Sequence, residues 1–172
     1  MPEKAVLFPE TDSATFQEWM GNFLTHTQDN NATFQAMHTY FNGMDTLSVT
    51  EQIPFSSDRK WSAMTFSGAG TLVIGAPERL SPEKLPESVL EAQQNGKRVL
   101  LAGITQHPVQ KEQPLPEIQL LAEIILTDPL RANAAKTIAA FQQEGVSVKL
   151  ISGDNPMTAS AMAQQAGVFQ GD

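Results

Sequence analysis

Apolar residues recur with a helical period near the start of the chain. Phe16, Trp19, Met20, Phe23 and Leu24 fall at i, i+3, i+4, i+7 and i+8, one broad stripe on a single face. Asp12 or Ser13 stands where a cap belongs, so a helix running to about Leu24 is predicted, with the stripe packed in a core. Residues 4–8 ahead of it read as a short strand. After the polar turn Gln28-Asp29-Asn30-Asn31, residues 33–41 form a second predicted helix with Phe34, Met37, His38 and Phe41 on one side, and His38 is expected to pack in the core. Asn42-Gly43 reads as its stop. Strand patterns follow at 47–55, 61–66 and 71–74, the last two joined by a hairpin loop, Ser67-Gly68-Ala69-Gly70. Pro77 opens a helical turn. Residues 87–94 form a helix stopped by Gly96, and 99–104 form a buried strand. Consecutive strands with few helices predict an α+β unit, an antiparallel sheet flanked by helices.

The pattern changes after residues 107–116, which are rich in Pro and Gln and are taken as a boundary. Residues 118–126 are apolar. Pro129 stands at the start of a helix whose Leu130, Ala134, Ile138 and Phe141 share a face, and Gly145 stops it. A strand over 146–151, a polar turn and a helix from Met157 to Ala166 complete the pass. Strand–helix–strand–helix predicts a parallel α/β segment, and it is incomplete, because one crossover cannot cover both faces of a parallel sheet. Two domains are therefore expected, 1–115 and 116–172.

Composition narrows the function. The net charge of −8 opposes a nucleic-acid groove, which needs a positive field, and leaves an acidic, solvated surface. The chain has no cysteine, which removes disulfides, thiolate metal sites and cysteine nucleophiles and suits a reducing cytosol. No apolar run is long enough to span a membrane, and the N-terminus, with Glu3 and Glu10, lacks the apolar core of a signal peptide. His26, His38 and His107 show no metal-ligand spacing, so no metal is expected on them.

The candidate chemistry lies in four short segments. Ile151-Ser152-Gly153-Asp154-Asn155-Pro156 puts a hydroxyl and a carboxylate between an apolar run and a helix, where open α/β sheets bind ligands. Pro54-Phe55-Ser56-Ser57-Asp58-Arg59-Lys60 places an aromatic ring close to two cations; a ring can stack on a base and a cation can meet phosphate, although from the residues alone a loop with a buried Phe and solvated charges is the favoured reading. Gly75 in Gly75-Ala76-Pro77-Glu78 allows a close backbone approach, as an ordinary turn also does. Asp128-Pro129-Leu130-Arg131 puts a carboxylate and a guanidinium at a helix start, where a cap and a solvated Arg are the plain reading.

Taken together and in this order, the four segments resemble the cytoplasmic nucleotide-handling part of P-type cation-transporting ATPases, over about residues 7–168. The resemblance implies a nucleotide-binding domain followed by part of a haloacid-dehalogenase-like phosphorylation domain. It implies that Phe55 stacks on adenine, that Lys60 lies in the same pocket, that Gly75 and Ala76 line its wall, and that Arg131 reaches toward the phosphates. It implies that the Ser152-Gly153-Asp154 loop, a Thr-Gly-Asp loop in the family, contacts the transferring phosphate and the Mg²⁺ environment; Ser retains the hydroxyl. Gln35 is the nearest match to an acidic adenine-side position of many relatives. The expected ligand is ATP, with Mg²⁺ in the intact pump. The expected partner is the rest of that pump, and the expected location is the cytoplasmic face of a membrane, a bacterial plasma membrane by the likeness of Ser-Gly-Asp-Asn-Pro and His26–Thr33. That branch implies calcium or another divalent cation as cargo.

Two departures bear on activity. The family usually carries Lys just before Gly-Ala-Pro-Glu, and here Ile74 stands there; losing a charge-assisted contact costs about 1–3 kcal/mol if nothing replaces it. The Asp-Lys-Thr-Gly-Thr motif with the phosphorylated aspartate is absent, as is the later Gly-Asp-Gly-x-Asn-Asp motif. The chain therefore reads as a segment beginning after the phosphorylation site and ending before the Mg²⁺ loop, expected to bind nucleotide without hydrolysing it. Two alternatives remain: an interaction module that keeps the fold and has lost ATP affinity, consistent with Ile74, and a haloacid-dehalogenase-type phosphatase using Ser152.

Overall fold

The computed structural model describes residues 2–127 and 130–168. The chain divides into two compact units, one within Met1–Leu85 and Val99–Leu126, the other within Pro86–Arg98 and Thr127–Asp172. This differs from the expected division at 115/116.

The first unit is built on a six-stranded antiparallel sheet in the order β1-β6-β5-β4-β3-β2. Its strands are β1 (Pro2–Leu7), β2 (Val49–Ser56), β3 (Trp61–Phe66), β4 (Gly70–Gly75), β5 (Arg98–Thr105) and β6 (Gln119–Leu126). β3 and β4 form the predicted hairpin, Phe66 opposite Gly70, with Gly68 and Gly70 at φ +71° and +116°, where side chains strain the backbone. Helices α1 (Ser13–His26) and α2 (Ala32–Tyr40) connect the edge strands β1 and β2.

The predicted stripe of α1 is fully used. Phe16, Trp19, Met20, Phe23 and Leu24 are buried together with Phe34 and Met37 of α2 and Met64, Phe66, Leu72, Ile74 and Ala102 of the sheet. Trp19 meets Phe66 edge-on at 5.4 Å, and Phe23 stacks on Phe34 at 6.0 Å. Such contacts add to the dominant stabilisation from burial, about 1.5–3 kcal/mol per large apolar side chain. Asp12 caps α1: its carboxylate accepts the Thr15 N–H at 2.8 Å, which holds the Asp12 carboxyl below its ordinary range. Gly21 admits the following loop, since a Cβ there would lie 2.7 Å from the Asn42 carbonyl oxygen. Beside it, fully buried Asn22 accepts the N–H groups of Thr46 and Leu47, both at 2.8 Å, and donates to the Glu18 carbonyl and the Thr46 hydroxyl.

Three expectations are corrected. Residues 118–126 do not open a parallel segment; β6 pairs antiparallel with β1, Leu7 opposite Ala122. The strand–helix–strand–helix order that suggested a parallel strand does not fix its partner: β6 lies inside the antiparallel sheet between β1 and β5, and Leu121–Leu126 are buried there. His38 is exposed, because the nine-residue α2 buries only Phe34 and Met37 before the chain turns extended at Phe41. The third concerns 146–151, below.

The second unit contains α4 (Glu87–Gln94), α5 (Ala134–Gln143) and α6 (Pro156–Gln165); the remaining helix, α3 (Pro77–Leu80), belongs to the first. α4 and α6 pack on each other. The Thr158 hydroxyl donates to the Lys97 carbonyl at 3.1 Å, and the Gln165 amide donates to the Asn95 carbonyl at 3.3 Å. α5 starts at Ala134 rather than at Pro129, which with Asp128 lies outside the described residues, and none of its residues is buried. Residues 146–151 form no strand. Val146 and Leu150 are exposed and Ile151 is 96% exposed. A strand needs hydrogen-bonded neighbours, and among the described residues the sheet of the first unit holds every strand.

Candidate nucleotide site

Phe55 is the odd phenylalanine of the first unit. Phe16, Phe23, Phe34, Phe41 and Phe66 are buried and Phe8 is half-buried, whereas Phe55 is 40% exposed. It lies near the end of edge strand β2, where side chains alternate between faces and no further strand covers the edge. Its backbone is nevertheless fixed. Both carboxylate oxygens of Asp29, in the turn between α1 and α2, accept the Phe55 N–H, at 3.0 and 3.2 Å.

The chain then turns from β2 into β3. Lys60 donates its N–H to the Ser56 carbonyl at 2.7 Å and sits at φ +60°, the left-handed region that costs a non-glycine residue about 1–2 kcal/mol. This places the Lys60 carbonyl against the end of β4, where it accepts the Ala76 N–H at 2.9 Å. Gly75 pairs with Trp61 in the register of the sheet. A Cβ at Gly75 would fall 2.6 Å from the Lys60 carbonyl oxygen and 2.5 Å from the Trp61 Cβ. The close approach expected at Gly75 is thus toward its own neighbouring strand. The Lys60 ammonium pairs with Glu78 of α3 at 3.0 Å, with both side chains more than a third exposed. Lys60, Gly75, Ala76 and Glu78 therefore form one corner, joined to Phe55 through the turn.

Arg59, from the same turn, lays its guanidinium over the Trp61 ring at 5.3 Å and donates to the Pro54 carbonyl at 2.7 Å. An open groove of about 1040 Å³ runs past Asp58, Arg59, Trp61 and Glu78; Phe55 is not in its lining. Ile74 is 2% exposed within the main core, so the position where the family usually carries Lys is here part of the packing. Gln35 is exposed and donates to the Asn30 side-chain oxygen at 2.9 Å.

The remaining candidates lie in the second unit. Ser152 and Gly153 are exposed, and the Ser152 hydroxyl accepts the Asp154 N–H at 3.1 Å. The Asp154 carboxylate pairs with Arg98, whose Nη2 lies 2.9 Å from both oxygens. Asn155 caps α6 by accepting the Met157 N–H at 2.9 Å. Arg131 is exposed ahead of α5. The loop expected at the end of a strand thus opens a capped helix without that strand. Among the described residues no group of three or more His, Asp or Glu is placed to hold a metal ion.

Asp29, Glu78 and Arg98 are the partners that the sequence did not single out for these roles. Asp29 is separated from Phe55 by 26 residues and Arg98 from Asp154 by 56, so no local spacing could signal either pair.

No family model matches the chain. Individual relatives do. The chain is 40% identical over 148 residues to the probable cation-transporting ATPase exp7 of Streptococcus pneumoniae, covering 85% of this chain and 19% of that protein. It is 34% identical over 143 residues to the calcium-transporting ATPase CtpE of Mycobacterium bovis, covering 80% of the chain and 18% of the relative. It is 32% identical over 100 residues to a probable copper-importing P-type ATPase A of Enterococcus hirae, covering 58% and 12%. The chain belongs to the P-type cation-transporting ATPase family. It spans about a fifth of the length of the first two of these relatives.

Proposed function

We propose that the chain is the nucleotide-handling segment of a cation pump. In this reading residues 1–115 hold the purine of ATP, which rests on Phe55 with Lys60 alongside and Gly75 and Ala76 forming the wall. The residues beyond β6 belong to the phosphorylation domain, with Arg131 and Ser152-Gly153-Asp154 serving the phosphates. The observation that carries the reading is Phe55: an exposed ring whose backbone is clamped, in a unit whose other phenylalanines pack inward. An exposed ring on a held backbone offers a stacking platform whose backbone ordering precedes the ligand.

The described residues do not by themselves fit Mg²⁺. They offer no three-ligand set, and Asp154 is engaged by Arg98. The chain carries no Asp-Lys-Thr-Gly-Thr motif, so the isolated segment is expected to bind nucleotide and release no phosphate. In the whole pump the nucleotide would be delivered to an aspartate elsewhere, at the cytoplasmic face of a membrane. No described helix is long and apolar enough to cross one. The cargo is a cation; the similarity to a protein named as calcium-transporting supports a divalent ion.

The test is a titration of the chain with ATP and ADP, following backbone amide resonances. Resonances at Phe55 and Gly75 should shift. Phe55→Ala should weaken binding by about 1–3 kcal/mol, the worth of one base–aromatic stack, at nearly unchanged stability. No shift at millimolar ATP would favour an interaction module that has lost nucleotide affinity. Phosphate release by the isolated chain would favour a phosphatase.

A further inference from the structure

The exposed ring of Phe55 is useful to a ligand only if the backbone beneath it stays in one place. Edge strand β2 supplies part of that restraint through β3, but the pairing register shifts between Ile53 and Ser56, so the ladder is irregular where Phe55 stands. The Asp29 carboxylate restrains this segment from another direction, with both oxygens on the Phe55 N–H at 3.0 and 3.2 Å. The turn carrying Asp29 is itself fixed. The Thr27 hydroxyl accepts the Asp29 N–H at 3.2 Å, and the Asn31 side chain accepts the N–H groups of Thr33 and Phe34 at the start of α2. The buried aromatic contact of Phe34 with Phe23 ties that helix to α1. A run of hydrogen bonds and ring contacts thus links the aromatic core to the backbone that carries the exposed ring.

We propose that Asp29 is a positioning residue for the nucleotide: it sets the Phe55 backbone so that the ring faces the purine, without touching the ligand itself. The inference rests on the reading of Phe55 as the purine platform. It predicts a separation by chemistry rather than by size. Asp29→Asn keeps a carbonyl oxygen to accept the Phe55 N–H, whereas Asp29→Leu keeps the bulk and removes every acceptor.

The experiment measures ADP affinity of the full chain by calorimetry, with amide hydrogen exchange at Phe55, for the wild type, Asp29→Asn, Asp29→Leu and Phe55→Ala. Asp29→Leu is expected to lose protection at the Phe55 amide and to bind ADP roughly fivefold to tenfold more weakly, as expected for losing one hydrogen bond of ordinary strength. Asp29→Asn should restore both to near the wild-type values. If Asp29→Leu exchanges and binds like the wild type while Phe55→Ala binds weakly, the role of Asp29 is overturned and the platform stands. If Phe55→Ala binds ADP as tightly as the wild type, the platform reading fails, and the positioning role with it. Should Asp29→Leu not fold, the wild type gives a second reading. The Asp29 amide and the Phe55 ring resonances should shift with one common dependence on ADP, and an unmoved Asp29 amide while the ring responds would overturn the proposal.

Discussion

Phe23 and Phe141 both belong to apolar faces of amphipathic helices, and they end in opposite surroundings. Phe23, in α1, is 1% exposed between Phe34 and the sheet; Phe141, in α5, is 51% exposed. The same contrast holds for strand-like runs. Residues 71–74 are buried within β4, whereas Ile151, at the end of the strand-like stretch 146–151, is almost fully exposed. The first unit contains the partners that its apolar faces require: six strands and two helices that close one core. Among its described residues the second has helices with apolar faces and no sheet of its own. Hydrophobic periodicity states that a face needs covering; it does not supply the cover.

The most forceful way to break this contrast is at its two extremes. Phe23→Ala should destabilise the first unit by about 3–5 kcal/mol, because it opens a cavity in a closed core; urea denaturation followed by tryptophan fluorescence reads this directly through Trp19 and Trp61. A value below about 1 kcal/mol would show that this core is not closed. Lys60→Gly separates stability from ligand binding. It relieves a left-handed residue and removes an ion pair that, more than a third exposed on both sides, is worth less than about 1 kcal/mol. Stability should hold or rise by up to about 1 kcal/mol while ADP binding weakens. Ile151→Ser should change stability by less than about 0.5 kcal/mol, since almost no apolar area is buried there, and the amides of 146–151 should exchange quickly. Slow exchange would mean that the segment has found a strand partner in solution.

The smallest expected effect concerns the cap of α1. The Asp12 carboxyl is held below its ordinary value, first by the Thr15 N–H and then by the Thr15 hydroxyl. Its folded-state pKa is thus below the unfolded one. The stabilisation it contributes is complete above about pH 4 and is lost as pH falls through the depressed value. Acid titration of thermal stability should show a slightly steeper loss below pH 4 in the wild type than in Asp12→Asn, which keeps a neutral acceptor.

Much of the first unit is legible along the chain. The stripe from Phe16 to Leu24, the hairpin at Ser67–Gly70 and the strand from Trp61 to Phe66 all occupy the places their local patterns indicate. In each the determining interactions are local: capping, turn chemistry, and one period repeated over a few turns. The candidate residues of the site were legible as types in order, but their partners were not. Phe55 could have been a core residue until the edge position of β2 left it exposed, and Lys60 could have been a free cation until Glu78 came within 3.0 Å.

By itself the sequence determined which segments are helix and strand where capping and periodicity agree, the family to which the chain belongs, and the absence of a cysteine or an Asp-Lys-Thr-Gly-Thr motif from these residues. Only the tertiary structure decided that residues 119–126 join β1 rather than opening a parallel sheet, that 146–151 remain outside any sheet, and that Asp29 holds Phe55 and Arg98 holds Asp154. The reason is that strand pairing and ion pairing are non-local. An apolar run is equally content beside any strand that matches its edge, and a carboxylate beside any donor. The choice is made by which partners the rest of the fold brings within about 3 Å.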